Sequence, residues 1–255
     1  MRCTGFIESP RLHNLATRIN TGTGRRRLRL AGDSGASVFI FDCNGVLVDS
    51  EAIVAGVAAQ ELSRAGFAVS PEIVSRFFAG RRPADMLIDI EAATKRKLPP
   101  NFAAVLAGAT LRKLRAELRA TTHVEHALTW LRGPKCVASS SPLDRVRLSL
   151  ESTGLLRFFD PYLFSASDVP RGKPAPDLFL YVAAKMHVAP GDCIVIEDSP
   201  AGVSAAHAAG MSPIGFIGGS HTNPTLGAQL TAAGARAVVT DMRALKSTVV
   251  ALRGF

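Results

Sequence analysis

Asp42, Ser139, Lys173 and the pair Glu197-Asp198 are far apart in the chain, yet their side chains together suit phosphoryl transfer. A carboxylate can attack phosphorus and divide one difficult displacement into two easier steps. A lysine neutralises phosphate oxygens, and Mg²⁺ is held by one or two carboxylates together with waters and substrate phosphate. Two adjacent acids at 197–198 are costly unless a cation lies beside them. Taken singly, each position also has a plain structural reading: Asp42 as a turn residue, Ser141 as a helix N-cap, Lys173 as a solvated loop lysine.

The context of these residues favours the chemical reading. Asp42 ends the apolar run Ala36 to Phe41 and precedes the turn-forming dipeptide Asn44-Gly45. A second run, Lys135 to Ser139, leads into Ser140-Ser141-Pro142, where a helix opening would offer backbone N–H groups and a positive dipole end to an anion. Pro174 restrains Lys173 to an extended conformation. A third run, Cys193 to Glu197, ends in the two acids. All of these are strand ends, and in open α/β sheets ligands bind beyond the carboxyl ends of the strands.

The positioning elements follow from the periodicity. Helices are predicted over 50–65, 71–78, 83–97, 101–119, 124–132, 142–153, 176–186, 201–209, 224–233 and 242–252. Strands are predicted over 36–41, 135–139, 162–165, 193–197, 213–216 and 237–239. The steps from Ser139 to Lys173 and from Lys173 to Asp198 are close to the ~30 residues that a strand-helix-strand unit needs. The step from Asp42 to Ser139 is about three times longer, and four consecutive helices fill it. The fold class expected is therefore α/β: a three-layer Rossmann-like core with a mostly parallel sheet, residues 36–51 and 122–255, and an inserted α-helical cap domain, residues 52–121.

Composition narrows the function classes. With 47% hydrophobic and 20% charged residues the chain is globular, and no apolar run is long enough to cross a bilayer. The formal charge of +9 suggests polyanion binding, but seven arginines against Glu8 and Asp33 place more than half of the excess before residue 37. The remainder suits attraction of small anions better than a nucleic-acid surface, and at 6% aromatics there is little for bases to stack on. Residues 1–35 read as a flexible basic leader, with an organelle transit peptide, an unused upstream start or nonspecific polyanion binding as other readings. Gly32-Asp33-Ser34-Gly35 imitates a serine-protease turn without the surrounding elements. Cys3, Cys43, Cys136 and Cys193 lack zinc spacing and read as thiols in a reducing, cytoplasmic setting. His123 and His126 have no partner ligands in view.

Taken in order, Phe41-Asp42-Cys43-Asn44-Gly45, Ala138-Ser139-Ser140-Ser141, Gly172-Lys173-Pro174 and Ile196-Glu197-Asp198-Ser199 resemble the haloacid dehalogenase superfamily. The resemblance runs from residue 37 to about 216. Val46 to Glu51 and Gly202 to Met211 are similar to its branch of sugar-phosphate phosphatases and beta-phosphoglucomutases. The resemblance implies a Mg²⁺-dependent phosphatase in which Asp42 attacks phosphorus and water then releases phosphate. Ser139 and Lys173 would hold the transferring oxygens. Asp42, Asp198 and the backbone carbonyl of Asn44 would bind the metal, with Glu197 acting through water. The cap loop Phe78 to Pro83 implies substrate-binding roles for Gly80, Arg81 and Arg82, with Ser140 opposite them on the core. The substrate expected is a small phosphorylated metabolite, a sugar or sugar-acid phosphate. No specific nucleic acid or membrane partner is implied, and a monomer suffices because the cap itself shields the site.

Asn44 departs from that pattern, since most catalysts of the family carry a second aspartate there. An amide cannot exchange protons usefully, and losing general acid-base catalysis typically removes about 10²–10⁴-fold in rate. Alternatives are therefore a phosphate-ligand binder with little turnover, or a phosphomutase. The mutases, however, carry a cap histidine where this chain has Val54.

Overall fold

The computed structural model describes residues 37–78 and 80–253; the leader and the Gly32-Asp33-Ser34-Gly35 match lie outside them. Six strands form one parallel sheet: β1 (Val38–Phe41), β2 (Lys135–Ser139), β3 (Leu163–Ser165), β4 (Cys193–Glu197), β5 (Ser212–Phe216) and β6 (Ala237–Val239). Their order is β3-β2-β1-β4-β5-β6. The chain winds outward from β1 to β3 and then returns to the far side of β1, so the winding direction reverses between β1 and β4. In doubly wound sheets that reversal opens a ligand crevice. Registers Phe41↔Val137 and Phe41↔Ile196 bring the ends of β1, β2 and β4 level.

All four β1 residues are buried, as strands covered on both faces require. Their alternation divides the core. Phe39 and Phe41 pack with α5 (Val124–Trp130), α6 (Leu143–Ser152) and α10 (Leu245–Arg253). Val38 and Ile40 face α7 (Asp177–Met186) and α8 (Pro200–Ala208). Ile40→Ala would empty a fully buried site and cost about 2–5 kcal/mol.

Four helices intervene between β1 and β2: α1 (Glu51–Arg64), α2 (Pro71–Phe78), α3 (Pro83–Thr94) and α4 (Phe102–Glu117). They share an apolar cluster of their own that includes Leu62, Val74, Met86, Ile90 and Leu106. The two connections to the sheet run side by side: Asp49 N–H donates to the Arg119 carbonyl and Thr121 N–H to the Leu47 carbonyl, each at 3.0 Å.

The elements match the sequence expectations within a few residues, and the differences have local causes. The helix expected over 83–97 stops at Thr94, because Lys95 is left-handed (φ 54°) and the Glu91 carboxylate accepts the Leu98 N–H at 2.9 Å. The last helix starts at Leu245 after a 3₁₀ turn at Met242–Ala244, which the Asp241 side chain begins by accepting the Arg243 N–H. Pro142, rather than Ser141, is the N-cap of α6, which leaves the Ser141 side chain available to the site. Between β5 and β6 runs the remaining helix, α9 (Leu226–Ala232).

Candidate active site

Asp42 leaves the end of β1 and its backbone N–H donates to the Ile196 carbonyl at 2.9 Å, which fixes it between β1 and β4. Lys173 reaches the same point from the loop before α7. Its Nζ donates to Asp42 Oδ1 at 2.6 Å, to Glu197 Oε1 at 2.5 Å and to the Ala138 carbonyl at 3.1 Å. Both ion pairs are buried. Burial alone would lower the Lys173 pKa, but the charges of Asp42 and Glu197 overcome it and hold the ammonium protonated. Asp42 shows the opposite balance: burial pushes its pKa up, Lys173 pulls it down, and Glu197 and Asp198 push it further up.

Glu197 was expected to serve a metal through water. The geometry gives it another visible task. Its Oε1 holds Lys173, and its Oε2 accepts the N–H groups of Asp198 and Ser199 and the Ser199 hydroxyl, all at 3.0 Å. Asp198 turns the other way, with Oδ2 at 2.9 Å from His221 Nε2. Among the described residues, Asp42 Oδ2 and Asp198 Oδ1 have no hydrogen-bond partner. Gly45 (φ 74°) passes so close that a Cβ there would overlap Asp198 Oδ2.

Ser139 is fully buried, its hydroxyl oxygen accepts the Ser141 N–H at 3.2 Å, and among the described residues the hydroxyl has no acceptor for its own proton. Asn44 is clamped at both ends of its amide. Nδ2 donates to Ser141 Oγ at 2.9 Å, and Oδ1 accepts from Ser50 Oγ at 3.1 Å. Ser50 therefore reaches back to the site and makes no side-chain cap for α1.

The helical insertion closes over these groups. Ser140 Oγ donates to the Gly80 carbonyl at 2.7 Å. Gly80 has φ 74°, and a Cβ there would overlap Ser199 Oγ, so this loop sits directly on two strand ends of the core. Beneath it lies a cavity of about 310 Å³ lined by Asp42, Asn44, Glu51, Ser140, Ser141 and Arg145 on one side and mainly by aliphatic side chains of α1 to α4 on the other. Arg81 lines it too, but its guanidinium pairs with Asp89 at 2.5 Å; Arg82 grips Asp85 through two bonds of 2.8 and 3.1 Å. Val54 also lines this cavity.

Sequence reasoning missed three residues. His221 follows Gly218-Gly219 just beyond β5, a strand end like the others, and its Nδ1 is buried without a partner. Glu51 opens α1 and faces the cavity, and burial, followed by the charge of Asp198, lifts its pKa to about 7. Arg145 stands in the first turn of α6, where the helix dipole disfavours a cation, and that anomaly was a legible signal. His123, by contrast, pairs with Asp241 at 3.1 Å, far along the chain from any site residue. Cys43, Cys136 and Cys193 are buried free thiols, and burial raises the pKa of each. Among the described residues no helix is long and apolar enough to cross a membrane.

A parallel sheet with this winding, a carboxylate at the end of its central strand and a lysine-acid pair beside it define a class of hydrolase, and the comparisons identify it. The model of the haloacid dehalogenase-like hydrolases matches residues 36–210, and the chain belongs to that family. The 6-phosphogluconate phosphatase of Escherichia coli (strain K12) is 31% identical over 195 residues, covering 75% of this chain and 87% of that protein. Validoxylamine A 7'-phosphate phosphatase of Streptomyces hygroscopicus subsp. limoneus is 32% identical over 182 residues, covering 70% and 84%. The crystal structure of a conserved haloacid dehalogenase-like protein of unknown function from Agrobacterium tumefaciens str. C58 superposes with a TM-score of 0.74 at 37% identity, covering 86% of this chain and 99% of that one.

Proposed function

We propose that the chain is a Mg²⁺-dependent phosphomonoesterase that hydrolyses a small sugar or sugar-acid phosphate through a phosphoaspartate on Asp42. The observation that carries this reading is the buried Lys173–Asp42 pair, whose Asp42 lines a cavity of about 310 Å³. The names of the similar phosphatases support the substrate class. A cytoplasmic setting, with residues 52–121 acting as the cap, belongs to the same reading.

The residues fit a hard divalent cation. Asp42 and Asp198 each keep one carboxylate oxygen without a hydrogen bond, and their raised pKa values reflect burial that a cation would offset. Among the described residues no three His, Cys, Asp or Glu side chains gather closely enough to hold a metal alone. That suits Mg²⁺, which completes its shell with waters and substrate phosphate. Asp42, Asp198 and the Asn44 carbonyl would hold it. When bound, it would neutralise phosphoryl charge that otherwise repels the nucleophile.

The protein's own residues account for the remaining steps. Lys173 fixes the rotation of the Asp42 carboxylate by binding Oδ1 and offsets charge on the transferring oxygens, while Glu197 keeps the ammonium in place. The Asp42 carboxylate attacks phosphorus, the bond to the ester oxygen breaks, and the leaving oxygen takes a proton from solvent, since Asn44 has none to give. Water then attacks phosphorus, the bond to Asp42 breaks, and the water's proton leaves with phosphate. In this reading Ser139 Oγ–H donates to a phosphoryl oxygen throughout, supported by its burial beside the Ser141 N–H. Val54 offers no proton to a bound sugar, which favours hydrolysis over internal transfer.

The test is a turnover screen over phosphomonoesters in Mg²⁺, with intact-mass detection of a phosphorylated chain after reaction with acetyl phosphate. Phosphate release together with an adduct that disappears in Asp42→Ala is expected. No release and no adduct with any substrate would overturn the reading.

A further inference from the structure

Arg145 is a charged group of the cavity wall that the protein leaves without a counter-charge in contact. It is 8% exposed, and its Nε has no hydrogen-bond partner. Among the described residues no carboxylate comes within ion-pair distance of it, whereas Arg81 and Arg82 at the cap loop are both paired. Its immediate neighbour Asp144 also lines the cavity, but its Oδ1 accepts the Arg145 backbone N–H at 2.8 Å and it makes no ion pair with the guanidinium among the described residues. Burial pulls the guanidinium pKa down and Glu51 is the largest opposing influence, yet Glu51 too stands outside contact range. A buried guanidinium without a partner opposes folding, and its position at a helix N-terminus adds to the cost.

The cavity explains what such a residue is for. Val54, Val74, Met86, Leu87 and Leu106 make the opposite wall aliphatic, so few polar groups are available to orient a ligand. A guanidinium fork matches a carboxylate or a phosphate in two parallel hydrogen bonds. Arg145 lines the cavity together with Ser140, Ser141 and Asp42.

We propose that Arg145 binds a second anionic group, a carboxylate or phosphate on the leaving half of the substrate, and thereby selects doubly anionic phosphomonoesters. This rests on the phosphomonoesterase reading of the same cavity. It shifts the assignment of anion recognition from the cap arginines, whose charges Asp85 and Asp89 already meet, to the first turn of a core helix.

The experiment compares substrates matched in length: 6-phosphogluconate against a hexitol 6-phosphate, and a hexose bisphosphate against a hexose monophosphate, all in Mg²⁺. In the unaltered chain kcat/KM is expected to favour one doubly anionic partner, and which one identifies the anion as carboxylate or phosphate. Arg145→Met should reduce that preference by about 10–100-fold, the range for losing a charge-assisted hydrogen bond, and Arg145→Lys should keep part of it. The Tm of Arg145→Met should rise, whereas an arginine with a purely structural role would give a fall. Calorimetric Kd values for 6-phosphogluconate and the bisphosphate, against their singly anionic counterparts, decide the matter independently of turnover. Equal affinity within each pair in the unaltered chain, or an unchanged preference in a folded Arg145→Met, would overturn the proposal while leaving the phosphatase reading intact. Absence of turnover alongside Arg145-dependent binding would do the reverse.

Discussion

Lys173 Nζ lies 2.6 Å from Asp42 Oδ1, and both side chains are sealed from bulk solvent. Because Glu197 shares the same ammonium, one cation restrains two buried carboxylates. Replacing it leaves the Asp42 carboxylate without its cation and Glu197 with its Oε2 bonds alone, and breaking a buried pair in this way costs about 3–5 kcal/mol. Lys173→Met should therefore lose about that much in urea unfolding at pH 7.5 and less at pH 5, where protonation of Asp42, whose pKa burial raises, relieves the charge. Its kcat should fall by at least about 10²-fold, as for loss of a charge-stabilising donor. An equal stability loss at both pH values would contradict the charge explanation.

Asn44 is the next test. Among the described residues its amide bonds to the Ser141 and Ser50 hydroxyls alone. Hydroxyls donate as readily as they accept, so an aspartate could take both bonds without moving either serine. Asn44→Asp should raise turnover of alkyl phosphates by tenfold or more at neutral pH, by restoring a group that exchanges protons. Aryl and acyl phosphates need little leaving-group protonation and should gain much less. A uniform gain across leaving groups would point away from proton transfer.

The carboxylates set the pH dependence of the metal-free protein. Burial is the first cause of the raised pKa values of Asp42, Asp198 and Glu51. The folded chain consequently holds protons that the unfolded chain releases from about pH 4 upward. Raised acid pKa values stabilise the fold at low pH, and that contribution is lost as pH rises through the folded values, which for Glu51 means about 7. Without divalent cations, Tm should decline between pH 5 and pH 8, and Glu51→Gln should flatten part of the decline. Mg²⁺ should raise Tm more at pH 7.5 than at pH 5, since it favours ionised carboxylates. A metal response independent of pH would argue against these ligands.

His221 Nε2 lies 2.9 Å from Asp198 Oδ2, while among the described residues its buried Nδ1 has no hydrogen-bond partner. A partner that orients a ligating carboxylate typically changes metal affinity by 10–100-fold when removed. His221→Ala should weaken Mg²⁺ binding by about tenfold or more in calorimetry, and the loss should appear as a higher Mg²⁺ requirement at unchanged substrate affinity. Unaltered Mg²⁺ affinity would mean that the imidazole only fills space.

Much of this site could be read before any coordinates because each strand announces itself locally. Phe39, Phe41, Val137 and Ile196 belong to short apolar runs, and the residue that ends each run is the one that matters. The helical insertion was equally legible, since no strand pattern interrupts 52–121. Pairings at long range were not legible. Nothing near Arg81 says that Asp89 will neutralise it, and nothing near Ser141 says that it will hold an amide almost a hundred residues earlier. Arg145 fell between the two cases: its dipole mismatch was visible, but only the absence of a partner gives that mismatch a meaning. His221 was hidden by its glycine-rich surroundings, where no period marks a functional side chain.

The clasp between the Ser140 hydroxyl and the Gly80 carbonyl makes entry a matter of size. With that clasp closed, the Gly80 loop lies on the core beside the cavity, where a small free molecule meets less hindrance than a bulky one. A phosphorylated protein side chain or a nucleic-acid terminus remains tethered to its polymer and would prop the lid open. On the proposed phosphatase reading, that clasp would favour loose metabolites over phosphates carried on macromolecules.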